Sequence, residues 1–119
     1  MNKKEQTYDF ICFSDLVYES YEGLRKKTEA KIRRRLRYYC VGKYRQEKID
    51  RIRTLRNTLY VDITAQNPLF YTNSGSKFSE LHDFDIDKMQ EFYISNYPDI
   101  HPDELRAMIL FAIYSFHLL

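Results

Sequence analysis

Residues 31–39 read KIRRRLRYY, and this stretch decides how we expect the first half of the chain to fold. Ile32 and Leu36 are apolar and four residues apart, which is the spacing of side chains on one helix face. The same spacing continues on both sides, and the face comprises Val17, Tyr21, Leu24, Thr28, Ile32, Leu36 and Tyr39. Spacings of three and four over about six turns predict one amphipathic helix at residues 15–41, capped by Ser14 or Asp15.

The opposite side of this helix is strongly basic. On a helical wheel it carries Lys26, Lys27, Arg33, Arg34 and Arg37. Tyr38, Tyr39 and Tyr44 are interleaved with these charges. Outward-facing lysines and arginines neutralise phosphates, and neighbouring aromatic rings can stack on unpaired bases. The pattern therefore predicts a contact surface that includes Tyr38.

Charge is distributed very unevenly along the 119 residues. Residues 25–56 hold 14 Lys/Arg against three acidic residues, a net charge of +11. Residues 1–24 carry −3 and residues 57–119 carry −6, so that the whole chain has a net charge of only +2. Helical i,i+4 pairs account for part of the basic excess: Glu22–Lys26, Glu29–Arg33 and Glu47–Arg51. Docking of the acidic C-terminal third on the basic segment is a second way to neutralise it.

Three more helices are predicted after a break or C-cap at Gly42. Residues 44–60 place four apolar side chains on one face: Ile49, Ile52, Leu55 and Leu59. Asp83 or Asp85 can cap a helix at 85–97, and Pro102 suits the first position of a helix at 102–118. Residues 8–13, YDFICF, favour a short strand or extended arm, and residues 59–64 alternate as a strand would.

These elements predict a mainly α protein. We expect one compact four-helix domain spanning residues 1–119. A small β element from residues 8–13 and 59–72 is compatible with the sequence, and so is continuation of the second helix through residue 64. The closing helix is apolar nearly all round, so we expect it in the core, with a homodimer contact through Ala107–Leu119 as the alternative.

The cysteines and the chain start favour a cytoplasmic protein. Cys12 and Cys40 are two thiols in a chain whose first residues, MNKKEQTYDF, lack the apolar run of a signal peptide. We expect both thiols to be reduced and buried, with a disulfide between them as the less favoured alternative. The apolar run 107–119 is shorter than the roughly 20 residues of a membrane span, so we predict no membrane contact.

No catalytic, metal or cofactor site is predicted. The aspartates of His82–Asp87 resemble a calcium loop, but Lys88 stands where its Gly is expected and Ile94 where its closing Glu is expected. Helix capping explains these aspartates better. His101 and Glu104 could form an acid/base pair, yet no nucleophile or oxyanion donor accompanies them. We expect His101 at a helix start and His117 as a part-buried residue of the last turn.

The sequence supports two hypotheses about function. The leading hypothesis is a small non-enzymatic nucleic-acid-binding or regulatory protein that contacts DNA or RNA phosphates through its basic helix face. The alternative is an inhibitor or adaptor whose arginines pair with carboxylates on an acidic partner protein. The composition would suit a phage or mobile-element accessory protein in either case.

Overall fold

The computed structural model describes residues 7–72 and 77–119. Within them the chain forms five α-helices: α1 (Tyr8–Leu16), α2 (Arg25–Tyr39), α3 (Gln46–Thr64), α4 (Ile86–Asn96) and α5 (Pro102–Ile113). It divides into two compact units, residues 1–56 and residues 57–119, with the boundary inside α3. The mainly α prediction is confirmed, because the described residues contain no sheet and their one β-bridge joins Tyr71 to Phe84.

Residues 8–13 belong to α1, so the prediction of a strand or extended arm there is wrong. Thr7 is the N-cap, and its hydroxyl accepts a hydrogen bond from the backbone N–H of Phe10. Asp9 adds a negative charge to the first turn, where the helix dipole favours it. The short helix buries apolar side chains around most of its surface, among them Ile11, Cys12, Phe13 and Leu16. A helix buried on all sides has no amphipathic period for sequence reasoning to detect.

The single helix predicted at residues 15–41 is divided. α1 ends at Leu16, so Ser14 and Asp15 lie in its last turn instead of capping a new helix. A 3-10 turn at Glu22–Leu24 then leads into α2, which begins at Arg25. The face predicted from 3.6-residue spacing is therefore real only within α2, where Ile32 and Leu36 are buried.

The break predicted near Gly42 is confirmed. α2 ends at Tyr39, and Cys40 follows in the left-handed conformation with φ 54°. The backbone N–H groups of Cys40 and Val41 donate to the carbonyls of Arg37 and Leu36, which caps the helix. Gly42 has φ 138°, a conformation that L side chains rarely adopt.

The second unit follows the sequence predictions closely. α3 continues to Thr64, so residues 59–64 are helical instead of forming a strand. Asp85 caps α4 by accepting from the backbone N–H of Lys88 at 3.1 Å. His101 caps α5 through Nδ1, which accepts from the N–H of Asp103 at 3.1 Å, and Pro102 follows at the first helical position. The capping interpretation of both segments is thus confirmed.

α5 packs against α4 within this unit. Its buried side chains are Leu105, Met108, Ile109, Ala112 and Ile113, whereas Ala107 and Tyr114 are exposed. The chain then closes with a π-helical turn at Tyr114–Leu118. The prediction that this helix lies in a core is confirmed, and most of its apolar surface is already covered.

Candidate nucleic-acid interface

Acidic residues near the start of the chain neutralise part of the basic segment within the first unit. Asp15 is 4% exposed, and its Oδ1 lies 2.7 Å from Nη1 of Arg35 and 3.6 Å from Nζ of Lys31. Asp9 is also buried, with Oδ1 3.1 Å from Nζ of Lys48. These ion pairs link α1 to α2 and α3.

Arg53 pairs with three carboxylates of the first unit and is only 6% exposed. Its guanidinium forms a bidentate pair with the Glu19 carboxylate, in which Nε donates to Oε1 at 2.8 Å and Nη2 donates to Oε2 at 3.0 Å. Nη2 also donates to Glu29 Oε2 at 3.0 Å, and Nη1 donates to Asp50 Oδ1 at 3.1 Å. Burial alone would lower the pKa of Arg53, but the hydrogen bonds and charges of Glu19 and Glu29 raise it.

This cluster changes the predicted pairing along α2. Among the described residues, Glu29 pairs with Arg53 and not with Arg33. In α3, Glu47 accepts from the Arg45 side chain at 2.9 Å. The Glu29 carboxylate that was expected to pair with Arg33 is thus engaged elsewhere.

The predicted contact residues lie together on the exposed face of α2. Within residues 7–72 and 77–119, none of the five cations has a carboxylate partner: Lys26, Lys27, Arg33, Arg34 and Arg37. Tyr38 is 62% exposed at the end of the same face. Ala30, the smallest side chain there, lies between the cations on the helical wheel. We call these five cations and Tyr38 the α2 basic face.

A groove of about 370 Å³ runs along one side of this face. It lies between α2 and the connection to α3, and its lining consists of Arg33, Leu36, Arg37, Gly42, Lys43 and Tyr44. We call it the connection groove. Three of its lining residues are cations and none is acidic. The Cζ atom of Arg33 lies over the Tyr44 ring, 3.8 Å from its centroid, in a cation–π contact.

Tyr8 holds the wall of the connection groove in place. Its hydroxyl donates to the backbone carbonyl of Lys43 at 3.0 Å and accepts from the backbone N–H of Arg45 at 2.9 Å. Burial raises the pKa of Tyr8, so its phenol keeps the proton that it donates. Gly42 lies against the Tyr8 ring, where an added Cβ would approach Cδ2 to 3.4 Å. Sequence reasoning did not identify Lys43 or Tyr8, because only the folded connection brings them to α2.

A second, smaller groove of about 240 Å³ lies on the other side of α2. Its lining includes Tyr18, Lys27, Lys31 and Arg34 together with the buried carboxylate of Asp15. Because Asp15 offsets part of the positive charge, this groove is less cationic than the connection groove. The α2 basic face therefore has a strongly positive side and a mixed side.

The two thiols differ in their surroundings. Both are free, which agrees with the reduced state predicted from the sequence. Cys12 is buried as expected, and burial raises its pKa to about 12. Cys40 is exposed, so the prediction of burial is wrong for this residue. Its place in the turn after α2 points it away from the apolar interior.

His117 has a partner that the sequence did not reveal. Its Nε2 lies 2.9 Å from Oδ2 of Asp83, and both side chains are less than 10% exposed. The same Oδ2 accepts from the backbone N–H of Glu80 at 2.9 Å. The rings of Tyr71 and Phe84 pack on the imidazole. This pair joins the closing π-helical turn to the segment before α4.

Comparison with protein-family models, with curated proteins and with solved structures finds no match to this chain. In the part of the chain that the structure describes, no helix is both long and apolar enough to cross a membrane. The same part has no cluster of three or more His, Cys, Asp or Glu side chains arranged to hold a metal ion. The candidate interface accordingly stands on its own geometry and charge.

Proposed function

We propose that this protein binds nucleic acid, without catalysing a reaction, through the α2 basic face. One observation carries the proposal: the five cations of that face are exposed and have no carboxylate partner among the described residues. Neighbouring cations such as Arg35, Lys48 and Arg53 are paired within the first unit. The fold thus divides the basic residues into a structural set and an outward set.

The shape of the outward set suits a polyanion. Arg37 follows Lys26 by eleven positions, which corresponds to about 16 Å along the helix axis. The five cations are spread along that length, so that each can contact a phosphate oxygen of an extended polyanion. The cores of protein–protein interfaces are depleted in lysine and enriched in aromatic residues. On the outward side of α2 between Lys26 and Tyr38, by contrast, the uncharged side chains are Ala30 and Tyr38. Nucleic acid is therefore the partner that the charge pattern favours.

An acidic partner protein is the second candidate, and exposed aromatic residues support it. Tyr18, Tyr21 and Tyr38 are each more than 60% exposed, and Tyr18 lines the second groove with Lys27 and Arg34. Tyrosine and arginine are enriched among the residues that dominate protein interfaces. In that case the same arginines would pair with carboxylates and Tyr38 would serve as an anchor.

Fluorescence anisotropy tests the leading proposal. Labelled single- and double-stranded DNA and RNA of about 20 nucleotides are titrated from 50 to 300 mM salt. Five phosphate contacts predict a log–log salt slope of about −3.5 for a single strand and about −4.5 for a duplex. The variant Arg33→Glu/Arg34→Glu should abolish binding at physiological salt.

The matched control is Lys77→Glu/Lys88→Glu. It changes the net charge by the same amount but places the change on exposed residues outside α2. It should keep most of the affinity. Absence of binding by the unaltered protein at 50 mM salt, or equal losses in the two double variants, would overturn the proposal; a pull-down with acidic partners would then be the next step.

Three further hypotheses accompany the proposal. A cytoplasmic location is consistent with the free thiols Cys12 and Cys40. A regulatory role in a phage or mobile element rests on composition and size. A homodimer through Ala107–Leu119 would have to form through the exposed side chains of this segment, such as Tyr114. Sedimentation analysis of the unaltered protein and of the Tyr114→Glu variant tests this hypothesis.

A further inference from the structure

We propose that the connection groove binds one nucleotide of an unpaired strand, with the phosphate on Arg37 and Lys43 and the base on Arg33. This inference rests on the proposed function and names the substrate class, which is single-stranded nucleic acid. Lys43 is the new residue, since it lies outside α2 and outside the face that the helical pattern predicts.

Charge makes the groove an anion site. Arg33, Arg37 and Lys43 line it, and no acidic residue is found in its lining. The C-terminal end of a helix carries about half a negative charge, which opposes anion binding there. In α2 the carbonyls of Leu36 and Arg37 already accept from Val41 and Cys40. Three full positive charges outweigh that partial charge.

Backbone donors add to the cations. The N–H groups of Gly42, Lys43 and Tyr44 have no acceptor among the described residues. Phosphate oxygens commonly accept from backbone N–H groups as well as from arginine and lysine. The connection therefore offers unpaired donors in the same segment that carries Lys43. A Gly at position 42 allows the backbone conformation, φ 138°, on which this segment depends.

The size of the groove favours a single nucleotide over a duplex. Its volume of about 370 Å³ lies at the lower end of the range for small-ligand sites, about 300–1,000 Å³. A duplex presents phosphates on a wide convex surface, which would rest on α2 without entering a concavity of this size. An unpaired nucleotide can turn its phosphate and base inward separately.

Arg33 supplies a stacking surface for the base. Its guanidinium carbon lies 3.8 Å from the Tyr44 ring centroid, and Arg33 remains exposed, so that a base can approach the guanidinium from solvent. Unpaired bases stack on arginine planes as they do on aromatic rings. Tyr44 thus positions Arg33, and Tyr8 positions the connection, so that the groove exists before the ligand arrives. Such preorganisation lowers the ordering cost of binding.

Anisotropy with a matched pair of ligands and a matched pair of variants tests the groove. The ligands are a 12-nucleotide single strand and the duplex of the same sequence, both at 150 mM salt. Lys43→Ala removes a groove cation, whereas Lys27→Ala removes a cation of the same face on the opposite side of α2. Lys43→Ala should weaken single-strand binding on the order of fivefold and leave duplex binding unchanged, while Lys27→Ala should weaken both ligands alike.

A ¹H–¹⁵N correlation titration with a trinucleotide provides a readout that does not depend on variants. The backbone resonances of Gly42, Lys43 and Tyr44 should shift most. Equal affinities for single strand and duplex, or equal effects of the two variants on both ligands, would overturn the groove while leaving the α2 basic face in place. Failure of the unaltered protein to bind any nucleic acid would overturn the proposed function and the groove together.

Discussion

Replacing Arg53 with methionine should destabilise the protein severely. Methionine preserves much of the side-chain length and keeps the helix propensity of α3. It removes the cation that contacts Glu19 after α1, Glu29 in α2 and Asp50 in α3. These contacts come from three separate segments of the first unit, so the substitution removes their common partner.

The magnitude follows from burial. The Glu19 and Glu29 side chains are 10% and 18% exposed, so water cannot fully replace the lost hydrogen bonds. Removing one partner of a buried ion pair costs about 3–5 kcal/mol, because the remaining charge is left uncompensated. Asp50 adds little, since its side chain is 53% exposed. We therefore expect the free energy of unfolding to fall by about 3–5 kcal/mol.

Urea unfolding followed by circular dichroism at 222 nm measures this loss. Arg34→Met is the matched control, because Arg34 is exposed on α2 without a carboxylate partner among the described residues. It should change the free energy of unfolding by less than about 0.5 kcal/mol. Adding Glu19→Gln and Glu29→Gln to Arg53→Met should recover part of the loss by removing the unpaired charges.

A small effect would refute this reasoning. If Arg53→Met cost no more than Arg34→Met, the cluster would be a surface ion pair of negligible net worth. The same conclusion would follow if the two glutamine substitutions made the Arg53→Met variant less stable instead of restoring it.

Three other predictions concern single groups. In the native protein at pH 8, iodoacetamide should modify exposed Cys40 and spare Cys12, whose pKa burial raises to about 12, and mass spectrometry of peptides should detect Cys12 modification only after unfolding. Burial and a hydrogen bond to a carboxylate raise the pKa of Tyr93 in the folded state; its contribution is therefore present below pH 10 and lost at about 1.4 kcal/mol per pH unit above it, and Tyr93→Phe should flatten the alkaline fall in stability. His117→Phe should lower the free energy of unfolding by about 1–3 kcal/mol, because it removes the imidazole partner of the buried Asp83 carboxylate; an unchanged melting temperature would contradict this.

Local signals in the sequence were sufficient for most of the helices. α4 and α5 begin where Asp85, His101 and Pro102 predict, because caps act within one turn of the helix they start. α1 was missed because burial on nearly every side removes the periodicity that identifies a helix. The predicted helix at residues 15–41 failed for the opposite reason: regular spacing continued across a turn that tertiary contacts of Glu19 stabilise.

The same division applies to the candidate site. The wheel position of the five α2 cations was predicted from spacing alone, because a helix fixes the direction of each side chain relative to the next. Which cations stay free was not predictable. Arg35 lies on the same helix as Arg33, yet it pairs with the buried Asp15 carboxylate of α1, whereas Arg33 is exposed.

The sequence by itself determined the helices that carry their own caps and the face on which α2 displays its charge. Both the caps and the charged face depend on interactions between residues a few positions apart, so they can be predicted from the sequence. Only the tertiary structure decided the partners of the acidic residues, the buried place of Arg53 and the joining of Lys43 to Arg33 and Arg37 in one groove. Those outcomes depend on which segments pack together. Burial strengthens the ion pairs that it encloses, and the turn after α2 brings Lys43 beside the cations of the helix.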